Sequence, residues 1–283
     1  MIVKNFIEDF RKRAMNSIEL SFRNADQKMP IGSSKCGGKP DLPEDFQWPY
    51  YEGADLDGKI KNRPLSFLLQ INCAEIKKYD IDNKLPETGM LYFFYELKTM
   101  TWGYDPQDKG SAKVYYFDVK AETLKEKDFP EDMPKEYRLP EINFVLRAKK
   151  DVPYFEEVDG TIDMQICEQY DEQRQTFLGL EDDDIEESKL LGYADLIQGE
   201  MLFECEAVTN GYNMGDKLEI DEQTRQKLEE NSKDWTLLLQ LDTIADDKFL
   251  FMFGDCGRIF FYIKQDDLAN RNFENVWLIL QSF

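Results

Sequence analysis

The amino-acid sequence predicts an α+β fold of mainly antiparallel sheets, built from an internal duplication and preceded by an N-terminal helix. Most of its apolar segments are short and have the two-residue period of strands, while few have the period of long crossover helices. Three segments also occur twice in the same order. We therefore expect one domain over residues 1–283, with related halves at about 1–120 and 185–283 and an acidic region that joins them.

The N-terminal segment predicts a helix followed by a strand. Apolar residues recur at helical spacing between Val3 and Ala14, and charged residues occupy the opposite face. Ile18, Leu20 and Phe22 then alternate with polar residues, which indicates a strand. Further elements are predicted as strands at 114–119, 142–148, 249–253 and 276–280, weak helical character at 165–178, and a capped helix that begins at Asp221.

The repeated segments define the two halves. The matched pairs are PLSFLLQIN at 64–72 with DWTLLLQLDT at 234–243, GGKPDL at 37–42 with LGYADL at 191–196, and GMLYFFYE at 89–96 with GRIFFYIK at 257–264. We expect Gln70 and Gln240 to occupy equivalent strand positions, and Gly89 and Gly257 likewise. The alternative is a chance similarity of two hairpins, since short apolar strands resemble one another.

Each leucine-rich strand of the repeat contains a glutamine. A strict two-residue period places this glutamine on the face opposite an apolar stripe. The stripes are Leu65, Phe67, Leu69 and Ile71 in the first strand and Leu237, Leu239 and Leu241 in the second. We therefore expect one fully buried face in each strand and one mixed, partly covered face that carries the glutamine.

Composition and charge restrict the partners of the protein. The chain has 57 acidic and 35 basic residues and a formal net charge of −22, which disfavours nucleic acid and anionic membranes and favours a basic protein partner. Its start has charged residues among the apolar positions, which argues against a secretory signal or a membrane span. Five scattered cysteines without CxxC spacing predict reduced thiols and a cytoplasmic location.

The absence of histidine limits the chemistry of the chain. It excludes a Ser-His-Asp or Cys-His catalytic set and removes the usual nitrogen ligand of zinc. Proton transfer near neutral pH would need a carboxylate, lysine, tyrosine or cysteine with a shifted pKa. We therefore assign no metal, no cofactor and no catalytic residue, and enzymatic activity stays an open question.

Long motifs in the chain resemble a known family. These are SKCGGKPDLPEDFQWP, PLSFLLQIN, LPETGMLYFFYE, WGYDPQDKG and FGDCGRIFFYIKQDDLANRNFENVWLILQ. They are similar to the YwqG family of bacterial proteins, over nearly the whole chain. The resemblance implies a duplicated α+β fold. No established biochemical activity comes with it, so no catalytic residue is carried over.

The segment FGDCGR at 253–258 contains the best chemical candidate, Cys256. If Arg258 lies nearer to the thiol than Asp255, the thiolate would be favoured and the thiol reactive. The favoured interpretation is structural: Asp255 and Gly257 form a hairpin turn, and Cys256 is a small buried residue packed within it.

The segment TWGYDPQDKG at 101–110 contains candidate binding residues, Trp102, Tyr104 and Asp105. Exposed, they would form a recognition loop with aromatic anchors; the favoured alternative is a long turn whose aromatic rings fold back onto the sheet. The segment ADLDGK at 54–59 lacks the later ligands of a calcium loop and predicts an ordinary turn. The acidic run at 181–188 predicts a solvated loop or helix end.

Two hypotheses for function follow from these features. The first is a cytoplasmic protein-interaction or regulatory module with an acidic surface that binds a basic protein. The second is a small-molecule binder or an enzyme with a carboxylate and tyrosine site between the halves. The second predicts that Tyr104, Asp105, Asp255 and Arg258 line one concave pocket.

Overall fold

The computed structural model describes residues 5–23, 28–155, 164–180, 188–215, 217–245 and 250–283. The described residues form six α-helices: α1 (Ile7–Arg13), α2 (Cys73–Ile76), α3 (Met164–Leu178), α4 (Leu202–Thr209), α5 (Glu222–Ser232) and α6 (Gln265–Ala269). Their strands are β1 (Met15–Arg23), β2 (Lys35–Cys36), β3 (Asp41–Leu42), β4 (Tyr50–Ala54), β5 (Ile60–Pro64), β6 (Ser66–Asn72), β7 (Met90–Tyr95), β8 (Ala112–Phe117), β9 (Lys125–Glu126), β10 (Asn143–Asp151), β11 (Lys189–Leu191), β12 (Trp235–Asp242), β13 (Ile244–Ala245), β14 (Leu250–Phe251), β15 (Arg258–Lys264) and β16 (Trp277–Gln281). The fold is α+β with antiparallel sheets and an N-terminal helix, as the sequence predicts. None of the described helices is long and apolar enough to cross a membrane.

Most of the predicted elements are present with shifted ends. The strands predicted at 114–119, 142–148 and 276–280 are β8, β10 and β16, whereas 249–253 contains only the short strand β14. Helix α3 covers the weakly helical segment, and α5 begins after Asp221, whose carboxylate accepts a hydrogen bond from the Thr224 N–H. Of the acidic run at 181–188, all but Ser188 lies outside the described residues.

Two large antiparallel sheets organise the chain. The six-stranded sheet has the order β10-β1-β11-β12-β15-β16, and the four-stranded sheet has the order β2-β6-β7-β8. Strand β1 belongs to the predicted first half, yet it pairs with β11 of the second half, for example through Ile18 and Leu190. The N-terminal strand therefore joins the sheet that holds the second set of repeated segments.

A β-bulge lies at the same place in both repeated hairpins. The ladder of β6 and β7 pairs Phe67 with Phe94 and Leu69 with Phe93, so Leu68 is the extra residue. A bulge reverses the alternation of side chains along the strand. The predicted stripe is therefore wrong: Phe67 packs in an outer cluster, while Leu69 belongs to the core between the sheets.

The second hairpin departs from the predicted stripe in the same way. The register shifts between Leu237 and Leu239, which makes Leu238 the extra residue. Leu237 lies in an outer cluster, whereas Leu239 and Leu241 belong to the core between the sheets. The expectation of a partly covered glutamine face is also wrong, because the Gln240 side chain is fully buried, with no exposed area.

The two large sheets pack against each other across a shared core. Phe93 of β7 and Phe261 of β15 meet edge to face, with their ring centroids 5.3 Å apart. Phe93 pairs with Leu69 and Phe261 pairs with Leu239, so the two rings hold matching positions in their ladders. Each sheet also has an apolar outer face, which a separate hydrophobic cluster covers.

A buried polar network surrounds Gln70. The Lys35 ammonium lies 3.3 Å from Asp41 Oδ1, and the Gln70 amide donates to Asp41 Oδ2 at 2.8 Å. The Asp41 N–H donates in turn to Gln70 Oε1 at 2.8 Å. All three side chains are fully buried, so these contacts supply the hydrogen bonds that the buried charges require.

Gln240 has the same network in the other sheet. The Lys189 ammonium lies 2.8 Å from Asp195 Oδ1, and the Gln240 amide donates to Asp195 Oδ2 at 2.7 Å. The Asp195 N–H donates to Gln240 Oε1 at 2.9 Å. Lys35 faces Gln70 across β2 and β6, as Lys189 faces Gln240 across β11 and β12. The two glutamines therefore occupy matching strand positions, while a common origin of the halves stays a prediction.

Gly89 and Gly257 match in position but differ in conformation. Each glycine directly precedes a strand whose first residue faces the end of the preceding leucine-rich strand. Gly89 has a φ of +84°, and a Cβ added there would lie 2.4 Å from the Phe117 carbonyl oxygen. Gly257 has no positive φ; the left-handed residue of its turn is Cys256, with a φ of +50°.

We expect Gln70→Met and Gln240→Met to lower the free energy of unfolding by about 2–4 kcal/mol each. Either change leaves a buried backbone N–H without its acceptor and removes one hydrogen bond to a buried carboxylate. Urea denaturation of both variants measures the loss. The control is Gln223→Met on the exposed face of α5, which should cost less than about 0.5 kcal/mol. A loss at Gln70 or Gln240 no larger than that of the control would contradict the structural role of the network.

Candidate functional site

Residues 101–110 form one wall of a surface groove. The opposite wall is the β4–β5 hairpin, and the cavity between them has a volume of about 820 Å³. We name it the acidic groove and define it by its lining residues, which are 51–56, 60, 99, 101, 102, 104, 105, 107, 108, 213 and 215. It contains all three binding residues predicted in this loop.

The loop is anchored on the edge of β16. Gly103 has a φ of +81°, and a Cβ there would lie 1.9 Å from the Leu278 carbonyl oxygen, so the close approach requires glycine. The Gly103 carbonyl accepts a hydrogen bond from Trp277 Nε1 at 2.8 Å, and the Trp102 carbonyl accepts one from the Leu280 N–H at 3.0 Å. These contacts fix the groove wall to the six-stranded sheet.

Carboxylates inside the loop determine its shape. Asp105 accepts hydrogen bonds from the Gln107 N–H and from Asn213 Nδ2, both at 2.8 Å. Asp108 accepts one from the Gly103 N–H at 2.9 Å, and burial raises the pKa of its carboxyl. The Asn213 contact joins the loop to a segment of the second half.

Large apolar side chains are exposed in the acidic groove. Trp102 is 44% exposed, Leu56 is 76% exposed and Ile60 is 61% exposed. Tyr104 is half-buried and packs on the cluster that covers the six-stranded sheet. The favoured expectation that both rings fold back therefore holds for Tyr104 and is wrong for Trp102, because the loop meets β16 through its backbone and leaves the indole outside.

The charge of the groove is negative. Its lining includes the acidic residues Glu52, Asp55, Asp105 and Asp108 and no lysine or arginine. Asp55 is neutralised locally by Lys61 at 2.6 Å and Lys98 at 2.7 Å, and these hydrogen bonds hold the pKa of its carboxyl well below the usual range. The other three carboxylates form no ion pair within the described residues.

The segment at 54–59 is a turn, as predicted. The Gly58 N–H donates to the Asp55 carbonyl at 2.7 Å, and Asp57 accepts a hydrogen bond from the Lys59 N–H at 3.1 Å. Lysine ammonium groups lie beside Asp55, where a calcium loop would place its cation. In the part of the chain that the structure describes, no group of three or more acidic or cysteine side chains is arranged to hold a metal ion.

Comparison with protein families identifies the chain. Residues 34–282 match the family described as domain of unknown function DUF1963. The protein belongs to the DUF1963 family. The comparison with curated proteins found no match. Both buried networks lie within the DUF1963 match, whereas β1 precedes it, although β1 sits between β10 and β11 in the six-stranded sheet.

Asp255 and Arg258 do not reach the acidic groove of this DUF1963 domain. Arg258 Nε donates to Asp242 Oδ2 at 2.7 Å, and its Nη1 donates to the Asp195 carbonyl at 2.9 Å. The Asp255 carbonyl accepts a hydrogen bond from the Phe283 N–H at 3.2 Å. The expectation that these residues share one pocket with Tyr104 is therefore wrong, because the arginine is held beside the buried Asp195 network.

Cys256 lies at the exposed tip of its turn. A bridge between Phe253 and Gly257 closes the turn, so residues 254–256 project away from the sheet. The Cys256 Sγ lies 3.7 Å from Met252 Sδ. The expectation of a buried thiol packed in the turn is wrong, because the turn is too tight to fold its tip back onto the core.

Three residues of interest are not among the candidates that the sequence suggests. Leu56 and Ile60 are isolated apolar residues in a polar hairpin, and nothing in the local pattern indicates that they line the same groove as Trp102. Glu204 is an acid inside the apolar segment MLFECEAV, a signal that could have identified it. Its Oε2 is buried and has no hydrogen-bond partner within the described residues, and burial raises the pKa of the carboxyl to about 7.

We expect Cys256 to react with an alkylating reagent or a disulfide reagent long before the buried cysteines. Burial raises the pKa of Cys36 and of Cys73 to about 12, which leaves their thiolate fractions negligible in the folded protein. Reaction with dithionitrobenzoate at pH 8 measures the phases. Cys256→Ser should remove the fast phase, and Cys73→Ser should leave it unchanged. An unchanged fast phase in Cys256→Ser would refute the exposed position.

We expect Glu204 to make the protein less stable as the pH rises. Its folded pKa of about 7 exceeds the ordinary value of 4.5, so the folded state binds more protons between these values and loses stability as the pH rises through them. Relative to the Glu204→Gln variant, the wild-type free energy of unfolding should fall by about 3 kcal/mol between pH 4 and pH 8.

Urea denaturation at a series of pH values measures this difference. The matched control is Glu230→Gln on the exposed face of α5, which should run parallel to the wild type. Parallel curves for wild type and Glu204→Gln would show that the buried carboxyl titrates as it does in water.

Proposed function

We propose that this DUF1963 protein is a protein-interaction module that binds a basic segment of a partner protein in the acidic groove. The observation that carries the proposal is the convergence of exposed Trp102, Leu56 and Ile60 in one groove whose lining has carboxylates and no basic residue. The segment it would bind combines lysine or arginine with large apolar side chains.

The apolar part of the groove supports binding to protein. Exposed apolar side chains that cluster on a soluble domain mark interaction surfaces, whereas scattered ones need no explanation. Tryptophan is among the residues that contribute most to binding energy at interfaces. Trp102 is held by a loop that is already hydrogen-bonded to β16, so little ordering would be required when a partner binds.

The charge of the groove supports a basic partner. Glu52 is exposed on the hairpin wall, and Asp105 lies on the loop wall, so the carboxylates flank the apolar side chains. The net charge of −22 adds a long-range attraction that increases the rate of encounter with a cation. Because exposed charges are screened within about 10 Å at 0.1 M salt, affinity should fall as salt is raised.

The proposal extends to the bacterial relatives, the cellular location and the regulatory role of the protein. The long motifs support placement with the YwqG proteins of bacteria, and five free cysteines support a cytoplasmic site of action. A module that binds basic segments through an acidic surface would regulate or neutralise its partner by covering the cationic side chains. The enzymatic alternative has less support, since Asp255 and Arg258 lie away from Tyr104 and Asp105.

We expect the groove to select basic, apolar peptides from an immobilised heptapeptide library in which lysine or arginine alternates with leucine, isoleucine or tryptophan. Matched peptides with glutamate in place of the bases should bind at least about tenfold more weakly. Fluorescence anisotropy of the selected peptides at two salt concentrations measures affinity and its salt dependence.

Groove variants test where the peptide binds. Trp102→Ala and Leu56→Ala should each weaken binding by about tenfold, because each removes apolar area that the peptide would cover. The matched control is Ile81→Ala, an aliphatic residue that is 66% exposed outside the groove and should leave affinity unchanged. Equal binding of basic and acidic peptides, or equal effects of Leu56→Ala and Ile81→Ala, would refute the proposal.

A further inference from the structure

A second cavity opens between the two large sheets. Its volume is about 780 Å³, and we name it the inter-sheet cleft. One wall comprises residues 106, 109, 110 and 112–115, which include the start of β8; the other comprises residues 208–211 at the end of α4 together with 235, 264, 267 and 273–277. The cleft shares no lining residue with the acidic groove, so it is a separate site.

The cleft lies where the two matched ladders end. Lys113 of β8 pairs with Phe94, and Trp277 of β16 pairs with Tyr262 in the corresponding place. Both Lys113 and Trp277 line the cleft. Strand β8 pairs only with β7 among the described strands, so it is an edge strand of its sheet, and its residues 112–115 line the cavity.

Aromatic rings line the cleft in fixed orientations. Trp235 Nε1 donates to Glu206 Oε2 at 2.9 Å, and Trp277 Nε1 donates to the Gly103 carbonyl at 2.8 Å. Both bonds are buried, so the indoles are held in place before any ligand arrives. Tyr115 and Phe273 add two further rings to the lining. Trp235 and Trp277 are only 4% and 7% exposed, so each presents a small part of its ring to the cleft, and the Lys264 ammonium lies 5.5 Å from the centre of the Trp235 ring. A wall of preoriented aromatic rings suits a flat apolar ligand, because contact with it costs little conformational entropy.

The lining of the cleft has more basic than acidic residues, unlike the chain as a whole. It contains Lys109, Lys113 and Lys264 against Asp267 and Glu274, whereas the whole chain has 57 acids and 35 bases. The lining therefore carries a small formal excess of positive charge in a strongly acidic protein.

The individual charges differ in what they contact. Lys264 is held by Glu206 at 2.9 Å, while Lys109 and Lys113 form no ion pair within the described residues. The Asp267 carboxylate is occupied by the amide of Asn272, which donates to it at 2.6 Å. Glu274 is exposed and likewise forms no ion pair within the described residues. The charges available to a ligand are therefore the two lysines on the β8 wall and the Glu274 carboxylate.

We propose that the inter-sheet cleft binds a small molecule that combines a planar ring system with an anionic group. The rings of Trp235 and Trp277 would contact the planar part, and the ammonium groups of Lys109 and Lys113 would pair with the anion. This site is independent of the acidic groove and has the opposite charge preference, so either proposal can fail without the other.

Two probes of the same shape and opposite charge test the proposal. They are 2-naphthalenesulfonate and 2-naphthyltrimethylammonium. The net charge of −22 by itself favours the cation, so a preference for the anion must come from the local lysines. Isothermal titration at low salt should show the sulfonate binding at least about tenfold more tightly. Equal affinities, a preference for the cation, or no binding of the sulfonate at millimolar concentration would overturn the proposal.

Substitutions and tryptophan signals then locate the probe. Lys109→Met combined with Lys113→Met should weaken sulfonate binding by about tenfold, whereas Lys227→Met, on the exposed face of α5, should leave it unchanged. The four tryptophans give four indole N–H resonances. The sulfonate should shift those of Trp235 and Trp277 and not those of Trp48 and Trp102. Shifts confined to Trp102, or an equal effect of Lys227→Met, would place the anion elsewhere and overturn the proposal.

Discussion

The structure depends on one buried interaction that occurs in both sheets. A lysine ammonium pairs with an aspartate, and a glutamine amide donates a hydrogen bond to the same carboxylate. A buried carboxylate is costly unless it is paired and hydrogen-bonded, so Asp41 holds the segment after β2 against β6, and Asp195 holds the segment after β11 against β12. Their main-chain carbonyls are engaged as well, by the Tyr92 hydroxyl in one half and by Arg258 in the other. The networks thereby tie a loop and two neighbouring strands into one unit in each half.

The inner faces of the sheets form the shared core. The acidic groove lies outside this core, whereas the inter-sheet cleft borders it through Val114 and Phe273. Residues 101–110 separate them: Trp102 and Asp105 face the acidic groove, while Lys109 lines the inter-sheet cleft. Gly103 anchors that loop to β16, because only glycine permits its close approach to the Leu278 carbonyl. One loop thus carries residues of opposite charge into two sites, and its attachment to the six-stranded sheet makes both sites features of the assembled fold.

The same contacts explain why the shared-pocket hypothesis fails. Arg258 is the only basic residue of the segment around Cys256, and it is committed to Asp242 and to the Asp195 carbonyl. The thiol remains exposed at the tip of a tight turn. The Arg258 guanidinium therefore supports the second buried network.

The sequence by itself determined the fold class, the N-terminal helix, most strands, the capped start of α5 and the matched places of Gln70 and Gln240, because these follow from local periodicity, capping and repeated motifs. Only the tertiary structure decided which way the leucines point, since a bulge is a property of two paired strands and reverses the faces without a signal in either strand. It also decided the burial of both glutamines, the exposure of Cys256 and the placement of Leu56 and Trp102 in one groove. Each of these depends on neighbours distant in the chain, and the physics of burial acts on neighbours in space.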